Sequence, residues 1–126
     1  MSAYGVRAGY FGWAGAGLAG EKATFQSGGS SQVQLDYARA LRAGPDFAQF
    51  TCTVNGVSRG ITAVSVGNGP WGTNTRLSLT LASATSAAPP KDKLIITYVP
   101  GATAGTRFAF APNEEIAGGS VPVQSM

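Results

Sequence analysis

The sequence predicts an all-β protein, an immunoglobulin-like Greek-key β-sandwich of about seven strands with an extended N-terminal arm. Three observations carry that expectation. Several stretches alternate apolar and polar residues with period two, turn-forming residues recur about every ten positions, and no apolar stripe of helical period is long enough to stand alone. With 126 residues the chain is long enough for one two-layer core and too short for two.

Residues 1–31 read as the arm and its linker, and 32–126 as the sandwich. The arm contains Ala8-Gly-Tyr-Phe-Gly-Trp-Ala-Gly-Ala-Gly-Leu-Ala-Gly20. Its glycines oppose the helical core of an export signal, at roughly 1 kcal/mol each against alanine. The segment is therefore expected to stay attached, in a protein made and retained in the cytoplasm or released by lysis. Gln26-Ser-Gly-Gly-Ser-Ser31 reads as a linker.

Gln32–Tyr37 is the first expected strand, with Val33, Leu35 and Tyr37 on its core face. Tyr37–Gly44 has the composition of a short helical turn stopped by Gly44 and Pro45. Phe50–Val54 alternates again and places Cys52 inward beside Phe50 and Val54. Asn55-Gly56 then supplies two positions tolerant of positive φ, a strong hairpin signal, and the return strand falls within Val57–Val66. Asn68-Gly-Pro-Trp-Gly-Thr-Asn74 is dense in turn formers and reads as a long loop.

Arg76–Leu81 points Leu77, Leu79 and Leu81 inward, and Ala87–Asp92 is another turn. Lys93–Val99 is apolar on both faces, which predicts a central strand either covered on both sides or packed against a neighbour, ended by Pro100-Gly101. Arg107–Ala111 and Ser120–Val123 are weaker strands.

The order Leu35-Asp-Tyr37, Ala40-Leu41, Phe47–Phe50, Phe50-Thr-Cys-Thr-Val-Asn-Gly56 resembles the SwmB-type repeat, a bacterial immunoglobulin-like module. Val64-Ser-Val66, Leu77–Ala84, Leu94–Pro100 and the closing Asn113–Val123 extend the resemblance over roughly Gln32–Val123. It implies a Greek-key sandwich used as a spacer or binding module, and it brings no catalytic residues. The chain differs from that pattern in its arm, in an insertion around Trp71, and in Asn113-Glu-Glu-Ile116.

Composition narrows the chemistry. Nine basic and six acidic residues are scattered rather than gathered into a stripe, so no nucleic-acid partner is expected. No apolar run is long enough for a membrane span. A single cysteine and no histidine exclude an intrachain disulfide and a Cys/His zinc site. Neither metal nor cofactor is expected, nor is an enzyme, because no nucleophile has a base beside it. Glu114-Glu115 reads as a solvated acid pair in preference to a shared calcium ligand set.

The aromatic residues are the informative ones. Tyr10, Phe11 and Trp13, with Leu18, have no core position waiting for them and read as partner-docking residues. Trp71, flanked by Asn68 and Asn74, reads either as a ligand or glycan contact or as a cap on the sandwich end. The expected function is a bacteriophage virion structural protein, a capsid decoration or cement protein. Its partners would be the major capsid protein or other virion proteins, and it would form a homo-oligomer. The alternatives are a carbohydrate-binding or host-adhesion module on a tail or a bacterial surface, and a tail-tube or other virion subunit.

Overall fold

A computed structural model describes residues 18–25, 30–87, 89 and 91–125. The chain is an all-β sandwich. In chain order the elements are β1 (Lys22–Phe25), β2 (Ser30–Asp36), a 3-10 turn η1 (Phe47–Gln49), β3 (Phe50–Val54), β4 (Val57–Arg59), β5 (Ile61–Gly69) and β6 (Gly72–Thr85). They continue with β7 (Leu94–Tyr98), a 3-10 turn η2 (Ala104–Thr106), β8 (Ala109–Phe110), β9 (Glu114–Glu115), β10 (Gly119–Pro122) and β11 (Gln124–Ser125).

One sheet has the order β11-β1-β2-β6-β5 and the other β10-β7-β3-β4, while β8 and β9 form a separate small ribbon. All pairings are antiparallel except β1 with β11. Alternation explains the core. Val33 and Leu35 of β2, Leu77, Leu79 and Leu81 of β6, Phe50, Cys52 and Val54 of β3, and Leu94, Ile96 and Tyr98 of β7 are buried in one continuous cluster. Burial of each large side chain stabilises the fold by about 1.5–3 kcal/mol.

Two strands change sheets. The chain from Val57 to Gly69 starts in the second sheet as β4 and crosses at Gly60, whose carbonyl takes the Ala82 N–H at 2.8 Å, to become β5 in the first. Gly119–Ser125 does the same through buried Val123, whose N–H reaches the Leu94 carbonyl at 2.9 Å. These crossings close the two flanks of the sandwich. Eleven strands stand, among the described residues, where about seven were expected: these crossings divide two expected strands, and β1 and β9 add two that were not expected.

Three sequence-based expectations change. Lys22–Phe25, expected as part of the arm, belongs to the sheet, and Phe25 is fully buried, so the sandwich begins before residue 32. Tyr37–Gly44 makes no helical turn; the one-turn helix comes later, where Asp46 Oδ1 accepts the Ala48 N–H at 3.0 Å. The expected long loop is a tight hairpin, because Gly69 pairs with Gly72 and leaves only Pro70 and Trp71 between the strands. β7 is central, packed between β10 and β3 as one of its two expected arrangements has it, and Ile95 and Thr97 on its outer face are half-buried. No helix among the described residues is long and apolar enough to cross a membrane.

Candidate binding surface

The registers place three connections at one end of the sandwich. Asp36 pairs with Arg76, and Arg76 with Gly67, so β2 ends, β6 begins and β5 ends at a common level. Phe50 pairs with Tyr98 at the matching end of the second sheet. The Tyr37 ring meets Phe108 edge-on at 5.6 Å, and Phe108 in turn meets Phe50 and Tyr98 at 5.7 and 5.8 Å, which joins the two sheets there. Residues 37–49, the Pro70-Trp71 turn and residues 99–118 therefore form one loop end.

Trp71 is 47% exposed at the hairpin tip. Asn68 and Asn74 stand beside it, but their polar groups shape the turn. Asn68 Oδ1 accepts the Asn74 N–H at 3.2 Å, Asn74 adopts φ 59°, and its carbonyl accepts the Leu41 N–H at 2.7 Å. Thr75 adds Oγ1–H to the Gly72 carbonyl at 2.8 Å, and its carbonyl takes the Tyr37 N–H at 2.9 Å. The hairpin tip is thus clipped to residues 37–41, and the indole is held out from a firm base.

Two further apolar side chains are exposed at this end, Phe47 at 44% and Val99 at 65%. They flank the level at which Phe50 pairs with Tyr98, and the Val99 N–H reaches the Gln49 carbonyl at 2.9 Å. Sequence reasoning missed both. The Asp46 cap marks the start of the turn that carries Phe47 but not which way its ring faces.

Arginines tie the long loop down. Arg42 donates to Asn113 Oδ1 at 3.0 Å and to the carbonyls of Ala104 and Arg107 at 2.8 Å. Arg39 pairs with Glu114 at 2.8 Å and lies 4.4 Å from the centroid of the Phe110 ring. Its hydrogen bond holds the Glu114 carboxyl below the usual carboxylate range. Arg107 pairs with Glu115 at 3.2 Å and donates Nε–H to the Gly101 carbonyl at 2.7 Å. The two adjacent glutamates are thus drawn to different arginines instead of converging on one point.

The arm's root lies at the same end. Tyr37 Oη–H donates to the Leu18 carbonyl at 2.6 Å, and the Leu18 side chain is only 5% exposed. Leu18 is therefore occupied by the chain's own core, which removes it from the expected docking set. Gly20 beside it has φ +58°, and a Cβ there would stand 2.5 Å from the Tyr37 ring, so only glycine fits. Tyr10, Phe11 and Trp13 lie outside the described residues.

Chemically this surface offers an indole, a phenyl ring, an isopropyl group and arginine-bound carboxylates. Among the described residues no three His, Cys, Asp or Glu side chains gather as a metal set. Cys52 is buried on the inner face of β3, where desolvation pushes its thiol up to about 11. No family model, curated protein or solved structure matches the chain.

Proposed function

We propose that the chain is a non-catalytic bacteriophage virion protein, a capsid decoration protein. It holds the major capsid protein through the segment before Leu18 and the loop end beside it. The observation that carries this reading is the position of the arm's root. Leu18, latched by Tyr37, lies at the end that exposes Phe47, Trp71 and Val99, and it is the residue to which the segment carrying Tyr10, Phe11 and Trp13 leads in the sequence. Each large side chain buried in a partner contributes about 1.5–3 kcal/mol before the costs of association. Repetition over a symmetric shell multiplies the effect through avidity.

The strand orders β1-β2-β6-β5 and β10-β7-β3-β4 support an immunoglobulin-like reading, since they follow the A-B-E-D and G-F-C-C′ orders of that fold. They agree with the resemblance of Gln32–Val123 to the SwmB-type module. In that fold the loops of this end are the ones commonly used for recognition.

The test uses particles stripped of the protein. A variant lacking residues 1–17 should keep its β-sheet circular dichroism and a cooperative melt, yet stay in the supernatant when shells are sedimented. Normal decoration by that variant would overturn the reading. A glycan-binding module is the second reading, favoured by the exposed indole of Trp71 between Asn68 and Asn74. It expects Trp71→Ala to lose retention on a glycan array while co-sedimentation with shells is unchanged.

A further inference from the structure

The four outer strands of the two sheets are not guarded alike. Strand edges carry unpaired N–H and C=O groups that accept a foreign strand, and proteins blunt them with shortness, charge or proline. Among them, β4 has three residues and ends in Arg59, β10 has four and contains Pro122, and β11 has two. β5 has nine residues. No charged residue lies between Arg59 and Arg76, and the only proline in that interval, Pro70, is in the turn.

Among the described residues β5 bonds to β6 along one side only. Its irregularities fall between Ile61 and Ala63 and between Gly67 and Gly69, leaving Ala63–Gly67 as a regular run. Within that run Val64 and Val66 face the core but are only partly buried, because the sandwich stops at their edge. Ser65 points outward and is exposed.

We propose that β5 pairs antiparallel with β5 of a second copy of this chain, about a two-fold axis through Ser65. The occupant is a second copy because the strand is complementary to itself. Around Ser65, Val64 of one copy lies opposite Val66 of the other and Ala63 opposite Gly67, so every cross-strand contact is small or apolar and none sets like charges together. The pairing satisfies the free backbone groups of the run. It also covers the two half-buried valines of each copy and joins the five-stranded sheets into one of ten strands. The inference is independent of what the arm binds.

Charge reversal at the axis tests it. Sedimentation velocity of the full-length protein should give a dimer that dissociates on dilution. In Ser65→Lys the two ammonium groups face each other across the axis, and in Ser65→Glu the two carboxylates do, so each variant should sediment as a monomer. An equimolar mixture should recover the mixed dimer, with melting curves confirming that both variants are folded. Hydrogen exchange of the unsubstituted protein gives a second readout, in which protection of the Ala63–Gly67 amides that face away from β6 rises with concentration. A wild-type monomer with concentration-independent exchange would overturn the proposal, as would variants that remain dimers. Protection of these amides only on bound shells would also overturn it, in favour of a foreign strand.

Discussion

Gly20 shows how one residue fixes the base of the arm. Its left-handed backbone lets the chain turn against the Tyr37 ring, which holds Leu18 in the core by way of the Leu18 carbonyl. Gly20→Ala combines a positive-φ penalty of about 1–2 kcal/mol with a clash against a buried ring. Chemical denaturation should show a loss of more than about 2 kcal/mol. Tyr37→Phe should lose about 1 kcal/mol, the worth of one hydrogen bond, and keep the edge-on ring contacts. Cys52 sets a pH dependence of opposite sign to acid denaturation. Its thiol is raised from 9.0 to about 11 in the fold, so above pH 9 the unfolded chain loses a proton that the native chain keeps. Stability contributed by the neutral thiol is therefore complete below pH 9 and declines up to about 11. Tyr37, also raised by burial, adds to the alkaline loss above pH 10. Melting temperatures of the unsubstituted protein should fall more steeply from pH 9 to 11 than those of Cys52→Ala, whose baseline at pH 7 is lower through the cavity it creates.

At the scale of elements, the β3–β4 hairpin makes the clearest case for local chemistry deciding structure. Asn55 and Gly56 take φ 52° and 82°, and the Asn55 side chain bridges to the next turn. It donates to Asp92 Oδ1 at 3.0 Å and accepts the Lys93 N–H at 2.8 Å. Asn55→Ala should cost about 1–3 kcal/mol in a denaturant melt, from the strained φ and the two lost bonds, whereas Asn55→Gly should recover the φ part only. This hairpin was legible in the sequence, as were β2, β3 and the Leu77-Leu79-Leu81 face of β6, because period two and Asn-Gly speak directly to backbone geometry. β1 was not legible. Lys-Ala-Thr-Phe is four residues long, its burial depends on Leu35 and Val33 opposite, and it adjoins glycine-rich text that masks it. Nor was the tight turn at Pro70-Trp71, since five turn formers within seven residues give no sign of which two leave the ladder. Trp71 itself stood out in the sequence, but Phe47 and Val99 did not, because their exposure arises from the way η1 and the end of β7 meet.

For the whole molecule, the boundary between arm and sandwich governs what any truncation reports. Removal of residues 1–17 leaves Leu18, β1 and every described core residue in place. Removal through residue 25 takes away Leu18, Ala23 and Phe25, leaves β11 without its partner in the sheet and exposes one edge of β2. The first variant should melt within a few degrees of the full chain in differential scanning calorimetry, and the second should lose its cooperative transition or melt far lower. Only the shorter deletion therefore separates loss of attachment from loss of fold.

The parallel pairing of β1 with β11 bears on how the molecule carries load. Leu18 lies at the loop end, and Ser125 follows a strand that runs away from that end. Tension applied between these points pulls the two parallel strands past each other, so their bonds are stressed together in shear and do not unzip one at a time. A pull along this line therefore loads the two residue pairs of that ladder lengthwise and at the same moment.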